Sequence, residues 1–154
     1  MDWDERKRGK GCPMCAEGRP ADNGFGVRTF EGRFSDAYLQ RADVGQKGYT
    51  IVIWRGRHVA DPTELSAEEA SGYFAEVLRV GAAVEEHFRP IKLNFEMLGN
   101  SLPHLHTHVV PRYLDDGSPG HPALFMRDEI EPQRKLAETE VAHDAAALRE
   151  RLKG

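Results

Sequence analysis

The stretch PHLHTHVVPRY, residues 103–113, places His104, His106 and His108 at every second position. Successive side chains of a β-strand point to opposite faces of the sheet, so this spacing sends all three imidazoles to one face. On a helix the same side chains would point about 200° apart at each step of two residues and would form no row. The spacing therefore predicts a strand over residues 104–111 that carries a row of imidazoles.

The sequence before this row predicts more strands and a hairpin. Residues 27–30 and 35–40 are separated by a short turn that contains Gly32, which is typical of a hairpin. The run YTIVIW, residues 49–54, is β-branched and aromatic, as in a central strand. Residues 91–98 predict one more strand, which the turn GNSLP joins to the histidine row.

Two helices are predicted from capping and periodicity. Ser66 with Glu69 three residues later forms a capping box, and apolar residues at helical spacing follow to about His87, before Pro90. This long helix is amphipathic, so we expect one of its faces to pack on the sheet. Residues 136–152 predict a charged helix at the C-terminus.

The composition predicts one domain, residues 1–154, with a flexible start and cysteine knuckle over 1–24 and a loop and helix over 114–154. The chain is 40% apolar and 30% charged, which is typical of a folded soluble protein. Its net charge of -4 argues against nucleic acid as a partner, although a small pocket could hold the phosphates of one nucleotide. Since neither a signal peptide nor a membrane helix is evident, we expect a cytoplasmic protein with no membrane partner.

The two cysteines, Cys12 and Cys15, are too close together in the sequence for a disulfide between them to stabilise the fold. In a reducing cytosol a CxxC pair is typical of a metal knuckle or a redox motif, and a pair of reduced thiols in a loop is the simpler alternative. A zinc site needs about four ligands, so two cysteines alone do not define one.

The histidine row is compatible with two kinds of site, because neutral imidazole is both a common metal ligand and a nucleophile near neutral pH. A single half-buried histidine is often only a hydrogen-bonded polar residue, but three in register are costly to desolvate without partners. One hypothesis is a metal-dependent hydrolase in which His104, His106 and His108 hold a catalytic metal. It is the weaker one, because same-face residues of a flat strand stand about 7 Å apart.

HLHTHVV resembles the His-φ-His-φ-His-φ-φ signature of the histidine triad (HIT) superfamily of nucleotide hydrolases and transferases, where φ is an apolar residue. Thr107 departs from that pattern at one apolar position. The stretches YTIVIWRGRHVADPTEL and LNFEMLGNSLPHLHTHVVPRY also resemble this family, so the likeness covers residues 12–113. It implies an α+β fold, with an antiparallel sheet of about five strands and one long helix packed on it, and the residue pattern after position 113 adds the C-terminal helix. It also implies a homodimer formed through residues 91–98 and the long helix.

The resemblance assigns roles around the triad. His106 would be the nucleophile, whose neutral Nε2 attacks the α-phosphorus of a nucleotide and forms a covalent nucleotidyl-histidine. The backbone carbonyl of His108 would hold the proton on the other nitrogen of that ring, and the His108 side chain would face the phosphate or the leaving group. Ser101 would donate its hydroxyl to the phosphate, while Asn100 would add an amide donor or serve, with Gly99, only as a turn residue.

The resemblance also names the missing metal ligands. In the branch that includes galactose-1-phosphate uridylyltransferase and several small bacterial members, a CxxC pair joins a histidine after the central strand and the first triad histidine. The matching residues are Cys12, Cys15, His58 and His104. They imply a closed structural zinc site that orients the catalytic strand.

For the rest of the nucleotide, the resemblance implies apolar residues around the base and a polar residue at the ribose. The candidates for contacts with the base are Phe25, Phe34, Leu39 and Ile53. Phenylalanine and leucine on strands belong to the hydrophobic core more often than to a ligand site. The candidates at the ribose are Gln40 and Asp43. His87 and His143, which lie among charged residues of the helices, are predicted to be solvated.

The expected function is that of a HIT-type hydrolase which acts on nucleotide phosphoramidates or dinucleoside polyphosphates and releases a nucleoside monophosphate. A variant of this function transfers the nucleotide to phosphate or to a sugar phosphate. The alternatives are the metal-dependent hydrolase described above and a nucleotide-binding module that does not hydrolyse its ligand.

Overall fold

The main sheet has five antiparallel strands in this computed structural model, which describes residues 2–127 and 134–154. In chain order the strands are β1 (Gly26–Glu31), β2 (Ser35–Gln40), β3 (Ala42–Asp43), β4 (Thr50–Trp54), β5 (Lys92–Glu96), β6 (His106–Arg112) and β7 (Arg134–Lys135). The main sheet has the order β1-β2-β4-β6-β5, and β3 pairs with β7 in a separate two-stranded ladder. The triad strand β6 therefore has a neighbour on each side, β4 and β5.

Five helices accompany these strands in the described part of the chain. They are α1 (Trp3–Lys7), α2 (Pro13–Ala16), α3 (Ala67–Phe88), α4 (Leu124–Arg127) and α5 (Glu138–Arg151). The long α3 packs on the sheet, and α5 packs against β1 and α3. None of the described helices has both the length and the apolar character needed to cross a lipid bilayer. The predicted α+β fold, with its sheet of about five strands, long helix and C-terminal helix, is confirmed.

The start of α3 is the capping box that the sequence predicts. The Ser66 hydroxyl accepts a hydrogen bond from the backbone N–H of Glu69 at 3.1 Å, and the Glu69 carboxylate accepts one from the N–H of Ser66 at 2.8 Å. Two donors that lack partners within the first turn are thereby satisfied. The helix ends at Phe88, because Arg89 has a left-handed backbone with a φ of 53° and Pro90 follows it.

The triad strand begins two residues later than predicted. β6 starts at His106, because the chain turns at His104, whose N–H donates to the carbonyl of Leu102 at 2.8 Å. At its other end the strand continues through Pro111. Pairing with β4 stops at Val109, so the missing N–H of the proline removes no ladder bond on that side.

The N-terminal segment is folded, in contrast to the flexible start predicted for residues 1–24. The Asp2 carboxylate caps α1 by accepting from the backbone N–H of Glu5 at 2.7 Å. α2 begins inside the CPMC motif, with Cys12 as its N-cap residue, and Arg55 donates to the backbone carbonyl of Met14 at 3.0 Å. Since Arg55 directly follows β4, this contact places the cysteines beside the end of the sheet.

Alternation along the strands divides the sheet into two faces. The face toward α3 carries the core, whose buried members include Ala37, Leu39, Val52, Trp54, Tyr73, Val77, Val80, Val84, Val109 and Leu148. On the opposite face His106 lies across from Ile53, and His108 lies across from Ile51. Cross-strand partners share a face, so the predicted row of imidazoles is confirmed for the two histidines that lie within β6.

Candidate active site and metal centre

Cys12, Cys15, His58 and His104 converge at one end of the sheet, with donor atoms that all lie within 4.8 Å of one another. Sγ of Cys12 is 3.4 Å from Nδ1 of His104, and Sγ of Cys15 is 3.3 Å from Nδ1 of His58. A tetrahedral ion with Zn–S and Zn–N bonds of about 2.3 and 2.0 Å needs sulfur-to-nitrogen edges of about 3.5 Å. The spacing of the four donors therefore fits a four-coordinate metal.

Backbone carbonyls fix the orientation of both imidazoles in this cluster. Nε2 of His104 lies 2.8 Å from the carbonyl oxygen of Trp54, and Nε2 of His58 lies 3.0 Å from that of Lys7. Because a carbonyl only accepts, each Nε2 carries the proton and each Nδ1 keeps a lone pair directed at the sulfurs. Both histidines are therefore in the tautomer that binds a metal through Nδ1.

His106 is buried, and the backbone holds its ring in one tautomer. Its Nδ1 lies 2.5 Å from the carbonyl oxygen of His104, so Nδ1 donates its proton and Nε2 keeps the lone pair. Burial lowers the pKa of His106, which keeps the ring neutral at pH 7. Within residues 2–127 and 134–154, Nε2 of His106 has no hydrogen-bond partner. A neutral imidazole with a free Nε2 lone pair is the form that acts as a nucleophile.

The carbonyl that orients His106 is not the one predicted from the resemblance. The sequence predicted the carbonyl of His108, and this was wrong. His108 lies inside β6, where it pairs with Ile51 on one side and Glu96 on the other. His104 precedes the strand, and its carbonyl is free to accept from a ring two residues further on.

His108 lies beside His106, with ring centroids 4.9 Å apart and ring planes at 67°. Burial lowers the pKa of His108 to about 4, so this ring is also neutral at pH 7. Its Nδ1 lies 2.6 Å from the hydroxyl oxygen of Tyr49, the residue just before β4. Tyr49 is buried, and that burial raises the pKa of its hydroxyl. The site thus contains two neutral imidazoles, each held through Nδ1.

A cavity of about 490 Å³ opens beside His108. Its lining also includes Phe25, Gln40, Arg41, Tyr49, Phe125 and Lys135. Two of the residues predicted to contact the nucleotide, Phe25 and Gln40, therefore share this cavity with a triad histidine. Asp43 lines an adjoining cavity of about 300 Å³, to which Gln40 and Tyr49 also contribute. The larger cavity is within the usual size range of small-molecule sites.

Ser101 and Asn100 lie in the turn that precedes the triad segment. Ser101 lines a separate cavity of about 450 Å³ beside Cys12, and its backbone carbonyl accepts a hydrogen bond from Arg6. Gly99 has a φ of 77°, in the left-handed region that favours glycine, which agrees with a turn residue. The phosphate contacts expected of Ser101 and Asn100 stay predictions.

Two of the predicted base contacts lie on the wrong side of the sheet. Leu39 is part of the core, and the ring of Phe34 packs 6.0 Å from that of Trp54, also in the core. Phe34 precedes β2, so strand alternation does not decide its side. The prediction for these two residues was wrong, whereas Ile53 stands on the triad face.

Sequence reasoning misplaced one histidine and missed several residues of the cavity, Tyr49, Phe125 and Lys135 among them. His87 is not solvated, because its Nε2 lies 2.9 Å from a carboxylate oxygen of Asp144 and so links α3 to α5. Tyr49 was missed, although it stands two residues before Ile51 and shares its face. Phe125 and Lys135 come from the tail of the chain, where no sequence pattern pointed to a site. Both line the cavity beside His108, as Tyr49 does.

The five-stranded antiparallel sheet with one long helix and the paired imidazoles of β6 are typical of histidine triad proteins. The sequence profile described as HIT domain matches residues 37–115, about half of the chain. The protein belongs to the HIT family, and the resemblance seen in its sequence is confirmed.

Comparisons with individual proteins agree. Protein hit of Bacillus subtilis (strain 168) is 34% identical over 92 residues, a match that covers 56% of this chain and 62% of that protein, less than two thirds of its length. A histidine triad protein from Bradyrhizobium japonicum superposes with a TM-score of 0.74 at 21% identity, over 84% of this chain and 92% of that chain. A Zn-bound histidine triad family protein from Mycobacterium smegmatis superposes with a TM-score of 0.63 at 22% identity, over 93% and 94%. These structures share the fold.

Proposed function

We propose that the protein is a nucleotide hydrolase or nucleotidyltransferase that cleaves at the α-phosphate through a covalent intermediate on His106. The observation that carries this proposal is the 2.5 Å hydrogen bond between Nδ1 of His106 and the carbonyl oxygen of His104. It leaves a neutral imidazole whose Nε2 lone pair is available to an electrophile. The second imidazole, His108, lies beside it and lines a cavity of about 490 Å³.

In the first step the Nε2 lone pair of His106 forms a P–N bond, and the bond from phosphorus to the leaving group breaks with its electron pair on the leaving atom. The leaving nitrogen of a phosphoramidate takes up a proton from solvent as it departs. The proton on Nδ1 stays in place, so the adduct is an imidazolium beside the phosphate charge. Water then attacks phosphorus, and the P–N electron pair returns to Nε2. One water proton stays on the released nucleoside monophosphate, and the other reaches the leaving group through solvent. With phosphate or a sugar phosphate in place of water, the same step is a transfer.

The proposed substrates are nucleotide phosphoramidates and dinucleoside polyphosphates. Membership of the HIT family supports a nucleotide ligand. The cavity supports it too, because an exposed aromatic ring, Phe25, and a cationic side chain, Lys135, both line it. A base can stack on the first, and the second suits a phosphate chain.

We also propose that Cys12, Cys15, His58 and His104 hold a structural zinc ion. The support is the donor spacing, the Nδ1 tautomer of both histidines, and the shared fold of the Zn-bound protein from Mycobacterium smegmatis. When bound, zinc would supply a rigid link between the N-terminal segment and the triad segment, since protein ligands fill all four positions. The backbone carbonyl of His104 then stays in place to orient His106.

The geometry does not favour the metal-dependent hydrolase in which the three triad histidines share one ion. Nδ1 of His104 faces the cysteines and its Nε2 is bonded to the Trp54 carbonyl, so neither nitrogen is left for a second site. Nδ1 of His106 is likewise bonded to a carbonyl. Membership of the HIT family supports a nucleotide-binding module without turnover as well, and the experiment below separates it from the enzyme.

The test is to trap the intermediate. The protein is mixed briefly with adenosine 5′-phosphoramidate or diadenosine tetraphosphate, quenched without acid because a P–N bond is acid-labile, and analysed by mass spectrometry. We expect an adenylyl adduct on His106, no turnover in His106→Ala, and unchanged turnover in the matched control His143→Ala, whose side chain is exposed. Turnover by a folded His106→Ala variant would overturn the mechanism, and binding without an adduct or turnover would favour the binding module.

We further propose a homodimer through β5 and α3. β5 is an edge strand of the main sheet, and Ile91 and Leu98 beside it are 54% and 53% exposed. The ring of Phe95 lies 2.8 Å from where a Cβ on Gly81 would stand, so it covers α3 next to Leu78, which is 62% exposed. This apolar surface along a free strand edge suits a second copy of the chain. The cytoplasmic location and the lack of nucleic acid or membrane partners stay predictions.

A further inference from the structure

We propose that Tyr49 is a positioning residue for the reaction: its hydroxyl donates to Nδ1 of His108 and thereby keeps the His108 proton on Nε2, where it faces the leaving group. This inference rests on the proposed function, because it assigns a task within the same reaction. It concerns a contact that joins two distant parts of the sequence, the residue just before β4 and the middle of β6.

The contact is short and well enclosed. The Tyr49 hydroxyl oxygen lies 2.6 Å from Nδ1 of His108, and the two ring planes are within 8° of each other. Tyr49 is 9% exposed, and the ring of Phe125 packs on it edge to face at 4.9 Å. The Tyr49 ring therefore packs against Phe125, and its hydroxyl oxygen lies within hydrogen-bond distance of Nδ1 of His108.

The direction of this hydrogen bond follows from the chemistry of the two groups. A phenol is a better donor than acceptor, and a neutral imidazole nitrogen is a better acceptor than a phenol oxygen. If Nδ1 of His108 were the donor, the Tyr49 proton would need another acceptor, and the described residues place none within bonding distance of that hydroxyl. Burial disfavours the charged form of each group, so neither the phenolate nor the imidazolium competes. The phenol therefore donates, and His108 carries its proton on Nε2.

The two neighbouring imidazoles are then held in opposite tautomers. His106 gives its Nδ1 proton to a backbone carbonyl and presents a lone pair at Nε2. His108 accepts at Nδ1 and presents an N–H at Nε2. With ring centroids 4.9 Å apart, the pair places a nucleophile and a hydrogen-bond donor side by side. The lone pair attacks phosphorus, and the N–H stabilises the charge that develops on the leaving atom.

This donor helps the departure step without a complete proton transfer. As the bond from phosphorus to the leaving atom breaks, its electron pair stays on that atom, which accepts the hydrogen bond from Nε2–H of His108. The Tyr49 proton stays on its oxygen throughout and only polarises the imidazole. The contribution of the donor therefore grows as the leaving group becomes poorer, because more charge then has to be stabilised in the transition state.

The first test measures the tautomer in the free protein and does not depend on activity. Histidine-selective ¹⁵N labelling and long-range ¹H–¹⁵N correlation spectra at pH 7.5 report which nitrogen of His108 carries the proton. We expect the proton on Nε2 and a hydrogen-bonded Nδ1 resonance that Tyr49→Phe shifts while Tyr113→Phe does not. Tyr113 is the matched control, since its hydroxyl bonds to the Lys47 carbonyl at 2.5 Å. A proton on Nδ1 of His108, or an Nδ1 resonance that Tyr49→Phe leaves unmoved, would overturn the proposal.

The second test measures adduct formation on His106 in a single turnover, with the 4-nitrophenyl and phenyl esters of AMP as good and poor leaving groups. Removal of one transition-state donor costs about 10²–10³ in rate. Tyr49→Phe keeps the His108 imidazole but no longer fixes its tautomer. We therefore expect the rate of adduct formation to fall roughly tenfold for the phenyl ester and less for the 4-nitrophenyl ester. Tyr113→Phe should leave both rates unchanged. Equal losses of rate for the two esters would rule out the positioning role of Tyr49. An absence of adduct in the wild-type protein would instead contradict the proposed function, and the tautomer spectra would still decide the role of Tyr49.

Discussion

The backbone carbonyl oxygen of His104 lies 2.5 Å from Nδ1 of His106, while the imidazole of His104 faces the sulfur atoms of Cys12 and Cys15 at 3.4 and 3.5 Å. One residue thus belongs to the metal cluster through its side chain and orients the proposed nucleophile through its backbone. Because both groups belong to one residue, a shift of the His104 backbone that disturbs the cluster also moves the carbonyl. The cluster is therefore expected to influence catalysis although it touches no substrate.

The first prediction concerns metal content. Purified protein should contain about one zinc per chain, and Cys12→Ser should lose it, because three ligands hold zinc far more weakly than four. Structural zinc contributes on the order of 10 kcal/mol of binding free energy in zinc-finger peptides, so we expect Cys12→Ser to lose at least about 3 kcal/mol of stability. Elemental analysis and urea unfolding measure both effects, with His143→Ala as the control. Full zinc occupancy in Cys12→Ser would rule out this set of ligands.

The strands and the shared face of the triad histidines could be predicted from the pattern of neighbouring residues alone. Alternation along a strand is a property of neighbouring residues, so the shared face of His106 and His108 followed from their spacing. The carbonyl that orients His106 did not, because it depends on where the chain enters the strand. Tyr49 sits next to His108 only because β4 pairs with β6 in one register, which one-dimensional patterns do not encode. The contribution of Phe125 depends on how the tail folds back over the sheet.

The second prediction is a loss of stability in acid that depends on Asp116. Its carboxylate lies 2.7 Å from the Arg112 guanidinium, both side chains are buried, and this partner holds the pKa of Asp116 well below its usual value of 3.8. A lowered folded-state pKa adds stability that is present above pH 3.8 and is lost as the pH falls further. Asp116→Asn should cost about 3 kcal/mol at pH 7, because it leaves the buried arginine without its charged partner.

Urea unfolding between pH 2.5 and 7 measures this effect. The slope of stability against pH below about pH 4 should be smaller in Asp116→Asn than in the wild-type protein. Asp115→Asn is the matched control, since that neighbouring side chain is exposed. An unchanged slope in Asp116→Asn would show that this ion pair does not contribute to acid sensitivity.

The third prediction concerns the proposed homodimer. Leu78→Lys places a charge on the exposed apolar surface of α3, where the leucine is 62% exposed, so the fold should tolerate it while association weakens. Light scattering should give twice the chain mass of 17.3 kDa for the wild-type protein and a smaller mass for the variant. Leu114→Lys, at a leucine that is 78% exposed on the loop after β6, should remain dimeric. A wild-type protein that is monomeric at micromolar concentration would contradict the proposal.

The fourth prediction assigns the base of the nucleotide to Phe25. This side chain is 75% exposed and lines the cavity beside His108, so it covers no core and is available to a planar ligand. Stacking of a base on an aromatic ring contributes about 1–3 kcal/mol, so Phe25→Ala should raise the KM for diadenosine tetraphosphate roughly tenfold. The rate of adduct formation at saturation should not change, because Phe25 contacts neither phosphorus nor the leaving group in this arrangement. Trp3→Ala, which removes an aromatic ring that is 44% exposed on α1, is the control and should leave the KM unchanged. A KM that is equally insensitive to Phe25→Ala would place the base elsewhere on the triad face.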